Sequence, residues 1–218
     1  MTANVIAFSV QTGSGGFAIA RQVAEQLGYR YYDWEITSEA ASRAGVSPND
    51  VIASERVPGF VERMMRRLGA ASAVTVEGSP VFGELSPAAW SNALQSLTSD
   101  DYRQFIERIV TELAEQGAAV IVGHASQFVL RDHPGTLRVL IHGSLPVRGQ
   151  RLAIEQDLTM DDALVRIKQS DKDRSELLRR VYKFDWLDAG VYDLSLNSDH
   201  LPDDFIAQSV VDAAKAVP

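Results

Sequence analysis

The sequence predicts an α/β protein with a five-stranded parallel sheet flanked by helices. Short apolar segments rich in β-branched residues alternate along the chain with longer segments of helical periodicity. Glycines stand between the first strand and the following helix, and at the ends of helices. We predict strands over the ranges 5–8, 29–33, 118–122, 137–141 and 192–196.

The first strand leads into a glycine-rich turn and an amphipathic helix. Apolar residues recur at helical spacing from Ile19 to Leu27, and Gly28 ends the helix. A turn of this kind points several backbone N–H groups and the positive end of the helix dipole at one place, where a phosphate can bind without any side chain. We therefore predict that the phosphate-binding residues are Gly13, Ser14, Gly15, Gly16 and Phe17.

The turn lacks the side chains that give a P-loop its chemistry. A P-loop carries a lysine that reaches the β and γ phosphates and a hydroxyl that binds magnesium. Gly16 and Ala18 occupy those places here, so the Walker A pattern is degenerate. Removing one preorganised donor costs on the order of 3 kcal/mol in the transition state. Binding therefore survives such losses more easily than turnover does.

Two other interpretations of the turn remain open from these residues alone. Gly13, Gly15 and Ala18 also spell the dinucleotide fingerprint G-x-G-x-x-A, and Asp33 follows at about the distance where an acidic residue meets a ribose hydroxyl. The chain contains no Tyr-x-x-x-Lys pair, which argues against an NAD(P)-dependent enzyme. The turn is also compatible with a plain strand-to-helix connection.

Composition narrows the function classes. The 218 residues carry a formal net charge of −8, which argues against duplex nucleic acid as a partner. The absence of cysteine excludes disulfides, zinc–thiolate sites and thiol nucleophiles. No apolar stretch is long enough to span a bilayer and no signal peptide precedes the first strand. We expect a cytoplasmic protein without a membrane partner.

Two segments interrupt the alternating pattern. Residues 34–99 loosen into helical pieces broken by prolines, which suggests an inserted substrate-binding region within a single domain over residues 1–218. Residues 146–181 form a densely charged helix-loop-helix of the kind that closes over a triphosphate. Within it, the spacing of Asp171 and Arg174 fits an ion pair on one helix as well as a nucleotide-binding role.

Nearly the whole chain resembles the cytidylate-kinase-like P-loop family, relatives of the nucleoside monophosphate kinases. The segments that carry the resemblance are residues 5–33, Val120–His124, Asp171–Arg174 and Tyr192–Asn197. The resemblance implies a P-loop NTPase fold with an inserted helical monophosphate-binding region and a lid. It also implies ATP and Mg²⁺ as cofactors, and a monophosphate such as CMP as the acceptor.

The resemblance further implies roles for individual residues. Arg148 and Arg151 would belong to the lid, and Arg174 would stabilise the transferring phosphoryl group, so that these three arginines replace the missing lysine. Asp33 and His124 would lie on the substrate side. The family tends to have arginine where His124 stands, and histidine is mostly uncharged at neutral pH unless an acidic neighbour holds its proton.

Three functions remain to be separated. The first is an ATP-dependent nucleoside monophosphate kinase, because phosphoryl transfer is mostly positioning and charge neutralisation. The second is a non-catalytic nucleotide-binding protein that signals through a protein partner, and the third is a dinucleotide-dependent enzyme. A homo-oligomer is compatible with each of them.

Overall fold

The computed structural model describes residues 2–33 and 99–217, which contain a five-stranded parallel sheet with helices packed on it. The chain divides into two units, residues 1–33 with 103–218 and residues 34–102, and the sheet belongs to the first. The strands are β1 (Val5–Val10), β2 (Arg30–Asp33), β3 (Ala119–Val122), β4 (Thr136–His142) and β5 (Leu194–Asn197). All five predicted strands are present, and the predicted fold class is confirmed.

The helices alternate with the strands as expected. They are α1 (Gly16–Leu27), α2 (Ser99–Gln116), α3 (Ser126–Val129), α4 (Leu145–Gln156), α5 (Met160–Tyr182) and α6 (Asp203–Ala216). Helices α4 and α5 lie where the charged helix-loop-helix was predicted. The inserted region predicted at 34–99 lies outside the described residues, apart from Ser99. No helix in the described ranges is long and apolar enough to cross a membrane.

Strand β1 occupies the middle of the sheet, whose order is β2-β3-β1-β4-β5. Every residue of β1 is buried, which explains why the segment is apolar on both faces. Its neighbours β3 and β4 lie on opposite sides of it and run parallel to it. Ligands of such sheets bind beyond the carboxyl ends of the strands, where connections leave in opposite directions. The residues that follow β1 therefore lie at the expected binding position.

The main core lies between the sheet and the helices α1 and α6. Ile6 and Phe8 of β1 are fully buried in it, together with Ile19 of α1 and Ile206 of α6. Helix α1 ends where Gly28 adopts a left-handed conformation, as the sequence predicts. This packing fixes the first turn of α1 against the carboxyl end of β1.

Candidate functional site

The turn between β1 and α1 requires glycine at two positions. Gly13 has φ +78° and Gly15 has φ +77°, both in the left-handed region. A Cβ atom at Gly13 would lie 2.4 Å from the carbonyl oxygen of Arg148 in the first turn of α4. The turn is therefore closely packed against α4 as well as conformationally demanding.

The N–H groups of the turn fall into two sets. The Ser14 N–H donates to the carbonyl of Gln11 at 3.0 Å, and the Gly16 N–H donates to the Ser14 hydroxyl at 3.3 Å. In the part of the chain that the structure describes, the N–H groups of Gly13 and Gly15 have no acceptor. The amides of Gly13 and Gly15, like that of Thr12, are thus available to an anion, while those of Ser14 and Gly16 maintain the turn itself.

Gly16, at the position of the P-loop lysine, has a packing reason to be glycine. A Cβ atom there would lie 2.5 Å from Cγ1 of Val10 and 3.2 Å from Cβ of Ile141. A lysine would require Val10 or the start of α1 to move. The next residue, Phe17, packs against the main core instead of offering a polar group.

Arg148 is held at the centre of the site by α4. Its Nε donates to the carbonyl of Gly143 at 3.0 Å, and its Nη1 donates to the carbonyl of Thr12 at 3.3 Å. The guanidinium also forms a bidentate pair with Asp171 of α5, with Nη2 at 2.7 Å from Oδ2 and Nη1 at 3.2 Å from Oδ1. Asp171 of α5 therefore forms an ion pair with Arg148 of α4, and not with Arg174 on its own helix.

Arg151 and Arg174 contact two further carbonyls of the same segment. Arg151 donates to the carbonyl of Ser14 at 2.8 Å and to that of Ser198 at 3.0 Å. Arg174 donates to the carbonyl of Val10, and its guanidinium lies 4.8 Å from the ring centroid of Trp186. Each of the three arginines predicted to replace the missing lysine thus donates to a backbone carbonyl of β1 or the turn.

The two predicted substrate residues lie on the neighbouring strands at the same edge. Asp33 ends β2 and accepts a hydrogen bond from the Tyr31 hydroxyl at 3.0 Å. His124 follows β3 in a left-handed conformation, with φ +54°. Burial, and secondarily the charge of Arg174, lower the pKa of His124 to about 4. His124 is therefore neutral at pH 7 and does not supply the charge of the arginine that the family tends to have there.

Several residues of the site gave no signal in the sequence. The Thr12 hydroxyl lies 2.8 Å from that of Ser170 on α5, and the Gly143 N–H donates to Oε1 of Gln11 at 3.2 Å. The partners are more than a hundred residues apart in sequence, so no local spacing reveals the contacts. The ion pair of Asp171 with Arg148 is not predictable from local spacing either, because Asp171 lies three residues before Arg174, at the spacing of an ion pair within one helix.

The fold and the turn together define the class. A parallel sheet in the order β2-β3-β1-β4-β5, with a glycine turn joining its central strand to α1, is an α/β fold with the turn at the carboxyl end of the central strand. A shikimate kinase from Bacteroides thetaiotaomicron is among the similar solved structures, at a TM-score of 0.47 and 14% identity over 97% of this chain and 96% of that chain.

The family follows from the sequence match. Residues 5–200 match the Cytidylate kinase-like family, and the chain belongs to that family. A protein named cytidylate kinase from Pyrobaculum aerophilum is 25% identical over 202 residues, which cover 90% of this chain and 85% of the relative. A second, from Methanopyrus kandleri, is 28% identical over 107 residues, which cover 45% of this chain and 55% of the relative.

A solved structure with a higher TM-score is similar over the full length. It is an uncharacterized protein from Eubacterium ventriosum, with a TM-score of 0.63 and 21% identity over 98% of this chain and 99% of that chain. At this identity the likeness shows the fold alone.

Proposed function

We propose that this chain binds a nucleoside triphosphate at the turn after β1 and transfers the γ-phosphate of ATP to a nucleoside monophosphate such as CMP. The observation that carries the proposal is the pair of amides at Gly13 and Gly15, which have no acceptor within the described residues, at the carboxyl end of the central strand. Membership of the Cytidylate kinase-like family supports nucleotide binding at that place.

The donor phosphates would be bound by backbone groups. The N–H groups of Gly13 and Gly15, with those of Phe17 and the first turn of α1, provide donors and the positive end of a helix dipole. Bound ATP supplies the phosphoryl group. The residues of the chain hold the donor phosphates in place and surround them with positive charge, which is what this chemistry mainly requires.

The acceptor would lie toward β2 and β3. Asp33 and His124 end or follow these two strands and are the residues we propose for the monophosphate side. Arg174 contacts the carbonyl of Val10 on β1, and its charge acts on His124. We propose Arg174 as the cation that stabilises the transferring phosphoryl group, with Arg148 and Arg151 beside the turn.

Magnesium would be held differently from a standard P-loop. The ranges 2–33 and 99–217 contain no group of three or more histidine or acidic side chains that could hold a metal ion. Ala18 also lacks the magnesium-binding hydroxyl. Mg²⁺ would have to be held through water or through a carboxylate, which suits a cation that keeps several of its waters.

A calorimetric titration with MgATP is the first test, with NAD in the same buffer as the control. We expect MgATP to bind with a micromolar to sub-millimolar Kd and NAD to give no heat of binding. A coupled assay with CMP then follows transfer by the ADP that forms. Absence of MgATP binding would contradict the proposal, and NAD binding alone would favour the dinucleotide interpretation of Gly13, Gly15 and Ala18.

A non-catalytic nucleotide-binding protein that signals through a protein partner is the second candidate. The observation that favours it is the packing of Gly16 against Val10, which leaves no space for the catalytic lysine. The same two measurements separate the candidates. MgATP binding without ADP formation, with CMP and with other nucleoside monophosphates, would support the non-catalytic role.

A further inference from the structure

We infer that Arg148 and Arg151 are positioning residues that orient the free amides of the turn, and that they do not themselves bind the phosphates. The inference rests on the proposed function, because it concerns the same phosphate site. It is based on the backbone carbonyls that the two side chains contact. Because a peptide group is planar, the direction of each contacted carbonyl fixes the direction of the next N–H.

A trans peptide group fixes two directions at once. The carbonyl of one residue and the N–H of the next lie in one plane and point in opposite directions. The described residues contain no cis peptide bond. A side chain that holds the carbonyl of residue i on one side of the backbone therefore directs the N–H of residue i+1 to the other side.

Arg148 and Arg151 contact the two peptide groups that carry the N–H of Gly13 and the N–H of Gly15. Arg148 holds the carbonyl of Thr12, which directs the N–H of Gly13 away from the Arg148 guanidinium. Arg151 holds the carbonyl of Ser14, which directs the N–H of Gly15 away from the Arg151 guanidinium in the same manner. These two N–H groups have no acceptor among the described residues, and neither has that of Thr12. The carbonyls are thus satisfied on one side while the amides remain available on the other.

The surroundings of Arg148 keep it in this role. Its side chain is only 5% exposed, and its hydrogen bonds to Gly143, Thr12 and Asp171 use four of the five bonds that a guanidinium can donate. Leaving this position for a phosphate would strand the Asp171 carboxylate without its cation, which is costly in a partly buried place. The charge of Arg148 is already compensated.

Arg151 has a looser but similar arrangement. Its guanidinium lies 3.6 Å from a carboxylate oxygen of Asp203 at the start of α6, in addition to its two carbonyl contacts. The side chain is 29% exposed. Together the two arginines fix the backbone before the ligand arrives, which reduces the ordering that binding would otherwise require.

Neutralising Asp171 separates this inference from a direct phosphate contact, because the two predict opposite signs. If Arg148 were a phosphate ligand, Asp171→Asn would release it and remove a repulsive charge, so affinity would rise. If Asp171 holds Arg148 on Thr12, the variant loosens the turn and affinity falls. We expect roughly tenfold weaker binding of inorganic tripolyphosphate and of MgATP, measured by calorimetry.

Two variants complete the set. Asp193→Asn breaks another bidentate arginine pair, that with Arg138, before β5 at the opposite end of the strands, and we expect it to leave both affinities unchanged. Arg148→Lys keeps the charge but cannot reach Gly143, Thr12 and Asp171 together, so it should lose affinity like Asp171→Asn. A lysine variant with wild-type affinity would overturn the inference.

Glycine-selective ¹⁵N spectra provide a readout that a purely structural role would not change. In the wild type and in Asp193→Asn, tripolyphosphate should shift the amide protons of Gly13 and Gly15 downfield. In Asp171→Asn these shifts should shrink at saturating ligand, while the melting temperature records any general loss of stability. Wild-type protein that binds neither probe would overturn the proposed function and the inference with it. Wild-type binding with equal or tighter binding by Asp171→Asn would overturn the positioning role alone.

Discussion

Similar ion pairs lie at the two ends of the parallel strands and have different roles. The amino edge is the side of the sheet where the strands begin, and the carboxyl edge is the side where they end. At the amino edge, Asp193 accepts hydrogen bonds from the Arg138 side chain at 2.6 Å and 3.0 Å and from the Arg138 backbone N–H at 2.8 Å. At the carboxyl edge, the pair of Arg148 with Asp171 leaves the guanidinium donating to carbonyls as well. The Asp193 carboxylate accepts the backbone N–H of Arg138. The Arg148 guanidinium instead contacts carbonyls, and the amides of Gly13 and Gly15 have no acceptor among the described residues.

This difference distinguishes a structural connection from a binding site. Backbone N–H groups are normally paired with protein atoms, water or a ligand, and the half-buried amides of Gly13 and Gly15 are accessible to such a ligand. The Asn4 side chain accepts a hydrogen bond from the N–H of Ala118 at 2.9 Å, so this amide at the amino edge has a partner. At the carboxyl edge, the amides of Gly13 and Gly15 have no such partner within the described residues.

The largest effect should come from Arg174→Ala. Removing the cation proposed for the transition state should lower the rate of phosphoryl transfer by about 10² to 10³-fold in single-turnover experiments. The sequence alone predicts a nearly unchanged melting temperature. The contacts of Arg174 with Val10 and Trp186 add an expected loss of about 1 to 2 kcal/mol in the free energy of unfolding.

The matched control for that experiment is Arg180→Ala, which removes an exposed arginine from the same helix. We expect it to preserve both the transfer rate and the melting temperature. If Arg174→Ala unfolds the protein while Arg180→Ala does not, Arg174 is a structural residue. That outcome would contradict the catalytic role proposed for it at the carboxyl edge.

Gly13→Ala should produce the next largest effect. The new Cβ atom would meet the Arg148 carbonyl at 2.4 Å, in a residue with φ +78°. Strain and overpacking together should lower the free energy of unfolding by about 2 to 4 kcal/mol, measured by urea denaturation. MgATP binding should fall with it, because the peptide group between Thr12 and Gly13 has to rotate.

Gly28→Ala separates the two contributions to that loss. Gly28 also has a positive φ, +69°, but among the described residues no atom beyond its own chain neighbours lies within 4 Å of the Cβ position. We expect a loss of about 1 kcal/mol from conformation alone, with unchanged MgATP affinity. Equal losses in the two variants would show that the packing of Gly13 against α4 contributes nothing.

The sequence predicts the sheet well because its signals are local. The buried run of β1, the glycines at 13, 15 and 16 and the apolar spacing of α1 each lie within a few residues, so strand, turn and helix follow from the pattern. Strand ends differ from the prediction by one or two residues, as at β1, which continues to Val10 instead of ending at Phe8. Hydrogen bonds with a neighbouring strand, and not composition, set such ends.

The site is predicted less well because its geometry depends on distant partners. The three arginines lie beside the turn, but nothing in their sequence spacing reveals that they donate to carbonyls. That outcome depends on how α4 and α5 pack against the turn. The neutral state of His124 likewise requires its burial, which no local pattern specifies.

The pH dependence of stability tests that burial. The pKa of His124 is lowered to about 4 by burial and, less strongly, by Arg174, against 6.5 for an ordinary histidine. Below pH 6.5 the unfolded chain therefore takes up a proton that the folded chain does not, and stability falls as pH falls toward 4. We expect a loss of about 2 kcal/mol between pH 7 and pH 5 from this residue.

The comparison variant is His124→Asn, because asparagine tolerates the left-handed conformation that His124 adopts, with φ +54°. Urea unfolding of both proteins at pH 7 and pH 5 gives the contribution of His124 as a difference. Identical pH dependences would show that His124 is not buried as a neutral group, and would reopen its role as a charged ligand of the monophosphate.

Asp193→Asn should produce the smallest effect, and it tests whether the two edges act independently. The hydrogen bond from Arg138 lowers the pKa of Asp193, so the pair stabilises the fold above the ordinary carboxyl pKa and is lost as pH falls through the folded value. Because the Asp193 side chain is 37% exposed, solvent weakens the pair, and we expect about 0.5 to 1 kcal/mol in urea unfolding at pH 7. MgATP affinity should not change, since the strands separate Asp193 from the turn. A weaker affinity in this variant would mean that loosening the amino edge reaches the turn, and the carboxyl edge could not then be treated as a separately organised site.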